Sequence, residues 1–448
     1  MTSDPKVGNS PLPLNRRWSS KSWGVVLVCV YAFLVLAPLV VALIHEPSSF
    51  RSFWGELGKG LALAGFAILA LQSVLSARFR IFEAPFGYDI VTRFHRTMAI
   101  AAVGMLLAHP ALLALDMGSF FLFSLDTSWK ISLGKVALLF LLFAVPFALF
   151  FRFLGFNYQT WRVMHKAMIG VVALAFAHAW FAGADLDNLG VQVVLIALLA
   201  CAVAIFAYRN GVLPFVGRYR YTVDSVDKAA RDVYTLTLKP DNGGMPPHDA
   251  GQFAFLKLKR PGRRSEEHPF TIPSSPLERG HVQFTIKRSG DFTDTIGETK
   301  PGDEAFLEGP LGRFSPVHYD IPCFLFIAGG VGITPIISML RYLRDIKDQR
   351  RGLLLYANNA EPDIIFRDEL ASLPQNIPVV HVLKEAPGNW SGEEGFITQD
   401  MLRRHAGDLL DRCHVMLCGP PPMMDAVLES LNNLGIEPQR IHFEKFSL

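Results

Sequence analysis

Four histidines fall inside long apolar runs of this 448-residue chain: His95 and His109 in one run, His165 and His178 in another. An imidazole in hydrocarbon is costly, so each needs a partner or a metal. The members of each pair are 14 and 13 residues apart, a rise of about 21 and 20 Å at 1.5 Å per helical residue. Imidazole is an axial ligand of haem iron, and bundle cofactors are held by side chains projecting inward from facing helices. Two matched levels predict two haems, one held by His95 and His165, the other by His109 and His178. The chemistry would be one-electron transfer across a bilayer.

The azimuths need a distortion. A spacing of 14 leaves two side chains about 40° apart, but 13 leaves the second about 140° short of whole turns. Either the helix carrying His165 and His178 is tightened or distorted, or its haems are differently rotated. Small residues flank the pairs: Ala99, Ala101, Ala102, Gly104 and Ala108 by the first, Ala167, Gly170, Ala173 and Ala177 by the second. They admit a flat ring or, equally, a neighbouring helix. Arg93, Arg96, Arg162 and Lys166 flank the His95/His165 level as propionate partners or membrane anchors.

The elements that position these histidines are legible in composition. Half the residues are hydrophobic and mean hydropathy is +0.28, with the excess confined to the first 210 residues. Six runs are long enough to span hydrocarbon, which takes about 20 apolar residues: Trp23–Ile44, Lys59–Leu75, Ile90–Leu115, Lys130–Phe151, Trp161–Ala182 and Leu189–Tyr208. The first is too long for a signal-peptide core and is expected to be a retained helix. Residues 1–22, rich in Pro, Ser and Asn, are expected to be a disordered tail.

Basic residues set the orientation. Lys6, Arg16, Arg17, Lys21, Arg78, Arg80, Arg93, Arg96, Arg152, Arg162, Lys166, Arg209, Arg218 and Arg220 fall on one side. The other has little beyond Arg51, Lys59, Lys130 and Lys135. The positive-inside rule puts both termini and the C-terminal half in the cytoplasm of an inner-membrane protein. His95 and His165 then lie at the inner level and His109 and His178 at the outer. The net charge of +3 has this topological explanation and gives no reason to invoke nucleic acid. The five cysteines (Cys29, Cys201, Cys323, Cys413, Cys418) show no metal spacing, and no disulfide framework is expected.

From residue 217 onward the pattern changes. Alternating segments at Tyr219–Val226, Val233–Lys239, Gln252–Lys259, His281–Lys287 and Glu304–Gly309 predict a small antiparallel barrel over residues 217–316. It contains His268-Pro269-Phe270-Thr271 and then Gly290-Asp291-Phe292-Thr293. An aromatic face, a hydroxyl and phosphate donors are what a flavin requires. Residues 320–448 read as a doubly wound α/β domain. A buried strand, Cys323–Ala328, runs into Gly329-Gly330-Val331-Gly332-Ile333-Thr334-Pro335 and an expected helix Ile336–Lys347. Glycines let the backbone approach a pyrophosphate, and a helix N-terminus favours its charge. Strands at Leu353–Ala357, Val379–Leu383 and Val415–Leu417 follow, then Cys418-Gly419-Pro420-Pro421-Pro422 and a terminal strand Arg440–Phe446.

The order of these motifs resembles the ferric reductase and NADPH oxidase superfamily. That family joins a six-helix core, carrying two b-type haems on its third and fifth helices, to a ferredoxin–NADP reductase-like module. The resemblance spans residues 23–446, with the haem domain over 23–210. It implies FAD against Phe270 and Thr271, with His268 where soluble relatives have arginine. Pro269, Gly290 and Thr293 complete the flavin elements. It implies NAD(P)H at Gly329, Gly330, Gly332, Thr334, Pro335, Cys418, Gly419 and Pro420. Thr271, Cys418 and Phe446 would serve hydride transfer, with Phe446 shielding the flavin.

The implied activity is passage of electrons from cytoplasmic NAD(P)H through FAD and both haems to a small outer acceptor, ferric iron or dioxygen. The partners implied are the lipid bilayer and that acceptor, with no obligate protein partner evident. Family oxidases place another histidine one turn beyond the outer ligand of the third helix; Leu113 stands there here. Asn358-Asn359 after the second nucleotide strand is neither the arginine of NADPH users nor the acid of NADH users, and Arg367 is a more distant candidate for a 2′-phosphate. Two other classes remain: a membrane-anchored reductase serving a soluble or quinone acceptor, and a histidine-relay proton channel with a regulatory domain. A haem spectrum and the effect of ligand mutations separate them.

Overall fold

The computed structural model describes residues 21–44, 52–151, 153–156, 158–213 and 218–445. Most of the expected tail, the basic residues Lys6, Arg16, Arg17, Arg51 and Arg152, and Phe446 lie outside them. The chain divides into two compact units, one ending at Val216 and one beginning at Gly217.

The first unit is helical because hydrocarbon offers its backbone no other partner. Its helices are α1 (Lys21–Ile44), α2 (Phe53–Leu75), α3 (Arg80–Phe86), α4 (Tyr88–Met117), α5 (Trp129–Phe150), α6 (Tyr158–Lys166), α7 (Met168–Ala182) and α8 (Leu189–Ala207). Six segments are long and apolar enough to cross a membrane: α1, α2, α4, α5, the α6–α7 pair, and α8 with the turn to Val212. This is a multi-pass membrane protein. Helix α2 is the central one, buried without interruption from Leu63 to Leu71. It packs closely on α4, where a Cβ at Gly65 would stand 2.9 Å from Leu106.

The fifth apolar run is two helices, not one. Ala167 interrupts it, with Ala167 N–H donating to Met164 O and Gly170 N–H to Ala167 O, both i→i−3. Such turns advance about 20° per residue more than an α-helix. Over the stretch Met164–Gly170 this turns the azimuth in the direction that a 13-residue spacing lacks.

In the second unit β1 (Tyr219–Ala230), β2 (Val233–Pro240), β3 (Phe253–Lys259), β4 (Glu267–Thr271), β5 (Val282–Lys287) and β6 (Glu304–Leu311) form one antiparallel sheet, ordered β4-β3-β6-β1-β2-β5. The expected barrel is seen as a six-stranded antiparallel sheet: among the described residues no ladder joins β4 to β5, so the ladders alone do not close it. Alternation shows which face is buried but not closure, which depends on strand tilt and stagger. Pro269 within β4 has no N–H to offer a further strand, which suits an edge.

The other sheet is parallel, ordered β10-β9-β8-β7-β11-β12. Its strands are β7 (Phe324–Gly329), β8 (Gly352–Asn358), β9 (Val379–Leu383), β10 (Glu393–Glu394), β11 (His414–Cys418) and β12 (Ile441–Glu444). The accompanying helices are α9 (Ile333–Asp345), α10 (Arg367–Ala371), α11 (Gln399–Ala406) and α12 (Pro421–Asn433). Strand β7 is buried along its whole length, as expected when helices cover both faces.

The two sheets are tied into one body. Ser338 Oγ accepts from Gly251 N–H and donates to Ser274 O. Arg341 reaches Pro273 O, Gln283 and, bidentately, Glu369. Cys323 and Cys413, 90 residues apart, are joined by a disulfide. Sequence spacing did not anticipate it, because the two precede β7 and β11, which become neighbours only in the sheet.

Candidate functional site

The four membrane histidines form two pairs. The ring centres of His95 and His165 are 6.0 Å apart, and those of His109 and His178 are 6.4 Å apart. Metal–imidazole nitrogen bonds are about 2 Å long, so two imidazoles flanking one ion have centres roughly 6 Å apart. Both pairs fit that separation. His109 Nδ1 lies 3.0 Å from Gly58 O and His178 Nδ1 lies 2.9 Å from Lys130 O. A carbonyl only accepts, so Nδ1 carries the proton in each ring and Nε2 keeps the lone pair that a metal needs. At the other level the Gln72 side-chain amide stands 2.6 Å from His95 Nδ1. His165 stacks on Trp161, which stacks on Phe151. Beside His165 an apolar cavity of about 330 Å³ opens between α5 and α7, lined by Phe143, Phe147, Trp161, Gly170 and Val171. A histidine pair beside apolar space suits a flat hydrophobic group such as haem. Sequence reasoning missed Gln72 and the carbonyls of Gly58 and Lys130 as supports; nothing local marks them.

In the flavin region His268 and Phe270 share one face of β4 with Phe292, at ring separations of 4.4 and 6.3 Å. His268 also pairs with Glu266 at 3.2 Å. Thr271, the next residue after Phe270, leaves on the opposite face. Its hydroxyl is buried with no hydrogen-bond partner among the described residues. A buried hydroxyl without a partner is expensive, and a ligand atom is the simplest remedy. Gly290 has φ +148° and open space where a side chain would be. Thr293 Oγ1 accepts from Ser289 N–H and donates to Gly290 O, which holds that loop's shape.

The nucleotide crevice follows from sheet order. From β7 the chain winds outward through β8, β9 and β10, then returns to add β11 and β12 on the other side. The reversal between β7 and β11 is a switch point, where open α/β sheets bind ligands beyond the strand ends. Gly329-Gly330 and Cys418-Gly419-Pro420 end those two strands and face one another. A Cβ at Gly329 would meet Met423 Sδ at 2.3 Å, and one at Gly332 would meet Cys418 O at 2.4 Å. These two glycines serve close packing of the loops. Gly330, at φ +52° with open space around it, is the one that leaves room for a ligand. Helix α9 begins three residues earlier than expected, which puts Thr334 and Pro335 in its first turn, where proline is tolerated. Both are buried, and Thr334 Oγ1 donates to Val331 O.

Cys418 is fully buried, and burial pushes its thiol well above the usual range, with the Glu444 carboxylate adding to the effect. Glu444 also faces Gly312, at 3.6 Å from its Cβ position, and Gly312 lies against Phe253, the ladder partner of Thr271. A chain of neighbours thus runs from Thr271 to Cys418. Glu444 was missed by sequence reasoning; its place two residues before the expected aromatic was the available signal. Phe446 itself lies outside the described residues. Arg367, the candidate for a 2′-phosphate, is paired with Glu361 at 2.5 Å.

Comparison with known proteins agrees with this layout. Residues 61–176 match the ferric reductase like transmembrane component, 222–315 the oxidoreductase FAD-binding domain and 326–429 the oxidoreductase NAD-binding domain. The first match includes three of the four histidines and ends two residues before His178. The reductase component of propane 2-monooxygenase from Mycolicibacterium smegmatis is 30% identical over 239 residues, 51% of this chain and 67% of that one. NADH-cytochrome b5 reductase 2 of Mycosarcoma maydis is 28% identical over 220 residues, 46% of this chain and 63% of the relative. The chain thus spans about two thirds of the length of these relatives. The cytochrome b5 reductase domain of Ulva prolifera nitrate reductase is similar over 51% of this chain and 97% of that domain, with 21% identity and a TM-score of 0.45. With a ferric-reductase-like transmembrane component joined to FAD- and NAD-binding domains, this membrane electron-transfer oxidoreductase belongs to the ferric reductase/NADPH oxidase superfamily.

Proposed function

We propose that the chain carries electrons from cytoplasmic NAD(P)H, through FAD and two b-type haems, to a small acceptor on the outer face, ferric iron or dioxygen. The single observation that carries this reading is the pairing of four membrane histidines at 6.0 and 6.4 Å. His95 and His165 hold the inner haem and His109 and His178 the outer. Bound FAD supplies the conversion of a hydride's electron pair into single electrons, and haem iron carries them one at a time.

The chain's own residues bind, orient and insulate. Gly330 and the first turn of α9 receive the dinucleotide phosphates, with Gly329, Gly332, Thr334, Pro335, Gly419 and Pro420 shaping the crevice around them. Phe270, Pro269 and His268 line the flavin strand, and Gly290 and Thr293 shape the loop beside it. The orphan hydroxyl of Thr271 faces the flavin, and Cys418 closes the hydride-transfer site with its thiol kept protonated by burial. Phe446 is proposed to shield the flavin. The distribution of Lys and Arg supports a cytoplasmic C-terminal unit.

An absorption spectrum of the pure full-length protein tests the reading. Two haems per chain, reduced by NAD(P)H without oxygen, are expected. Well-folded protein with FAD but no haem would overturn the relay and favour a reductase serving a soluble or quinone acceptor.

A further inference from the structure

The two outer-level histidines are held by main chain, and one of them occupies a place that only glycine leaves open. His178 Nδ1 reaches the carbonyl of Lys130 on α5. Gly134 lies one turn further along the same helix, and the His178 ring packs on it. A Cβ built at Gly134 would stand 2.8 Å from Cγ, Nδ1 and Cε1 of that ring. Real Cβ atoms do not approach so closely, and three atoms of one rigid ring can give way only if the whole ring moves. Gly134 has an ordinary helical backbone, so no turn or left-handed conformation explains it. Glycine within a helix is less favourable than alanine. The space it leaves is filled by the imidazole. By contrast, a Cβ at Gly104 or Gly170 would meet nothing within 4 Å.

We infer that Gly134 is a positioning residue for the outer-level haem ligand: together with the Lys130 carbonyl it sets the ring plane and the tautomer of His178. The carbonyl keeps the proton on Nδ1 and so frees Nε2; the missing side chain lets the ring lie flat on α5 with Nε2 toward His109. Outer-shell partners of this kind orient a ligand and raise its basicity. A methyl group at position 134 must push the ring off its seat, lengthen the Nδ1–carbonyl bond and turn the imidazole plane. The inner level has other supports, the Gln72 amide and the Trp161 ring, so it should not respond. This inference rests on the haem reading above.

The test uses full-length G134A and wild-type protein, with haem per chain by pyridine haemochrome and the low-spin ferric signals by low-temperature EPR, which reports the axial imidazole planes. Wild type is expected to show two signals. In G134A one should be displaced or lost, the same one that His178→Leu abolishes, with the other signal and the FAD content unchanged. Two unaltered signals at full haem content would overturn the inference and leave the haem reading intact, as would equal displacement of both. Wild-type protein without haem would overturn the haem reading itself. If G134A does not accumulate, the double variant G134A/H178A decides. With the ring gone the methyl group fits, and the double variant should accumulate with a single haem, as H178A does; failure of the double variant where H178A accumulates would overturn the inference.

Discussion

At the scale of single residues, the sites are marked by polar atoms whose partners are fixed or missing. Thr271 Oγ1 is buried without a partner among the described residues, and such a group costs about 1–3 kcal/mol unless something satisfies it. Thr271→Ala should therefore slow flavin reduction by NAD(P)H, on the order of tenfold, while FAD affinity changes less. Stopped-flow reduction set against an FAD titration measures the two effects separately, and an equal loss in both would assign Thr271 to binding alone. Arg367 offers the opposite case, a cation whose charge is already taken by Glu361. The chain should prefer NADH, and Glu361→Gln should raise kcat/KM for NADPH relative to NADH by up to about fivefold, since exposed ion pairs contribute about 1 kcal/mol or less. Steady-state kinetics with both coenzymes checks this; an unchanged ratio would place Arg367 away from the 2′-position.

At the scale of elements, the break at Ala167 decides whether His165 and His178 can face the same way. The i→i−3 bonds from Met164 to Gly170 supply rotation that an unbroken α-helix of this spacing lacks. Inserting one alanine after Gly170 would rotate His178 by about 100° and move it by 1.5 Å, roughly. The expected result is loss of the outer haem with the inner one retained, read as haem content falling from two per chain toward one. The C-terminal unit makes its own statement. Its sheets are tied together by Ser338 and Arg341, and both nucleotide sites lie within it. A fragment from Gly211 to Leu448 should bind FAD and reduce artificial dyes with NAD(P)H in the absence of haem. A folded fragment inactive at every FAD concentration would contradict the assignment of these domains.

At the scale of the whole molecule, the proposal is directional. Replacing His109 or His178 with Leu should leave NAD(P)H-dependent reduction of the remaining haem intact and abolish reduction of a membrane-impermeant ferric complex. Replacing His95 or His165 should block both. Oriented vesicles with the nucleotide sites outward and the ferric complex enclosed would show it, and undiminished reduction in the outer-ligand variants would refute the path. An inside-negative potential favours outward movement of an electron by about 2.3 kcal/mol per 100 mV over the full depth. Collapsing that potential should slow transfer where it limits turnover.

What the sequence determined by itself is whatever depends on residue type and near neighbours. The six spans follow from apolar length. The four histidines and their two levels follow from rise per residue, and the order of membrane, flavin and nucleotide segments follows from apolar runs and from motifs a few residues long. The 13-residue spacing leaves a distortion of the fifth run and a different rotation of its haems as equal alternatives. Tertiary structure decided what depends on residues far apart in the chain. The carbonyls of Gly58 and Lys130 choose the tautomers of His109 and His178 across 51 and 48 residues. The disulfide joins Cys323 and Cys413 across 90. Gly329 and Gly332 read as phosphate glycines until Met423 and the Cys418 carbonyl are seen to fill their Cβ positions. Whether the antiparallel sheet closes is a matter of tilt and stagger, which alternation along one strand does not encode. Local pattern specifies which face of an element is apolar; which atom lies against that face is set only when the elements pack.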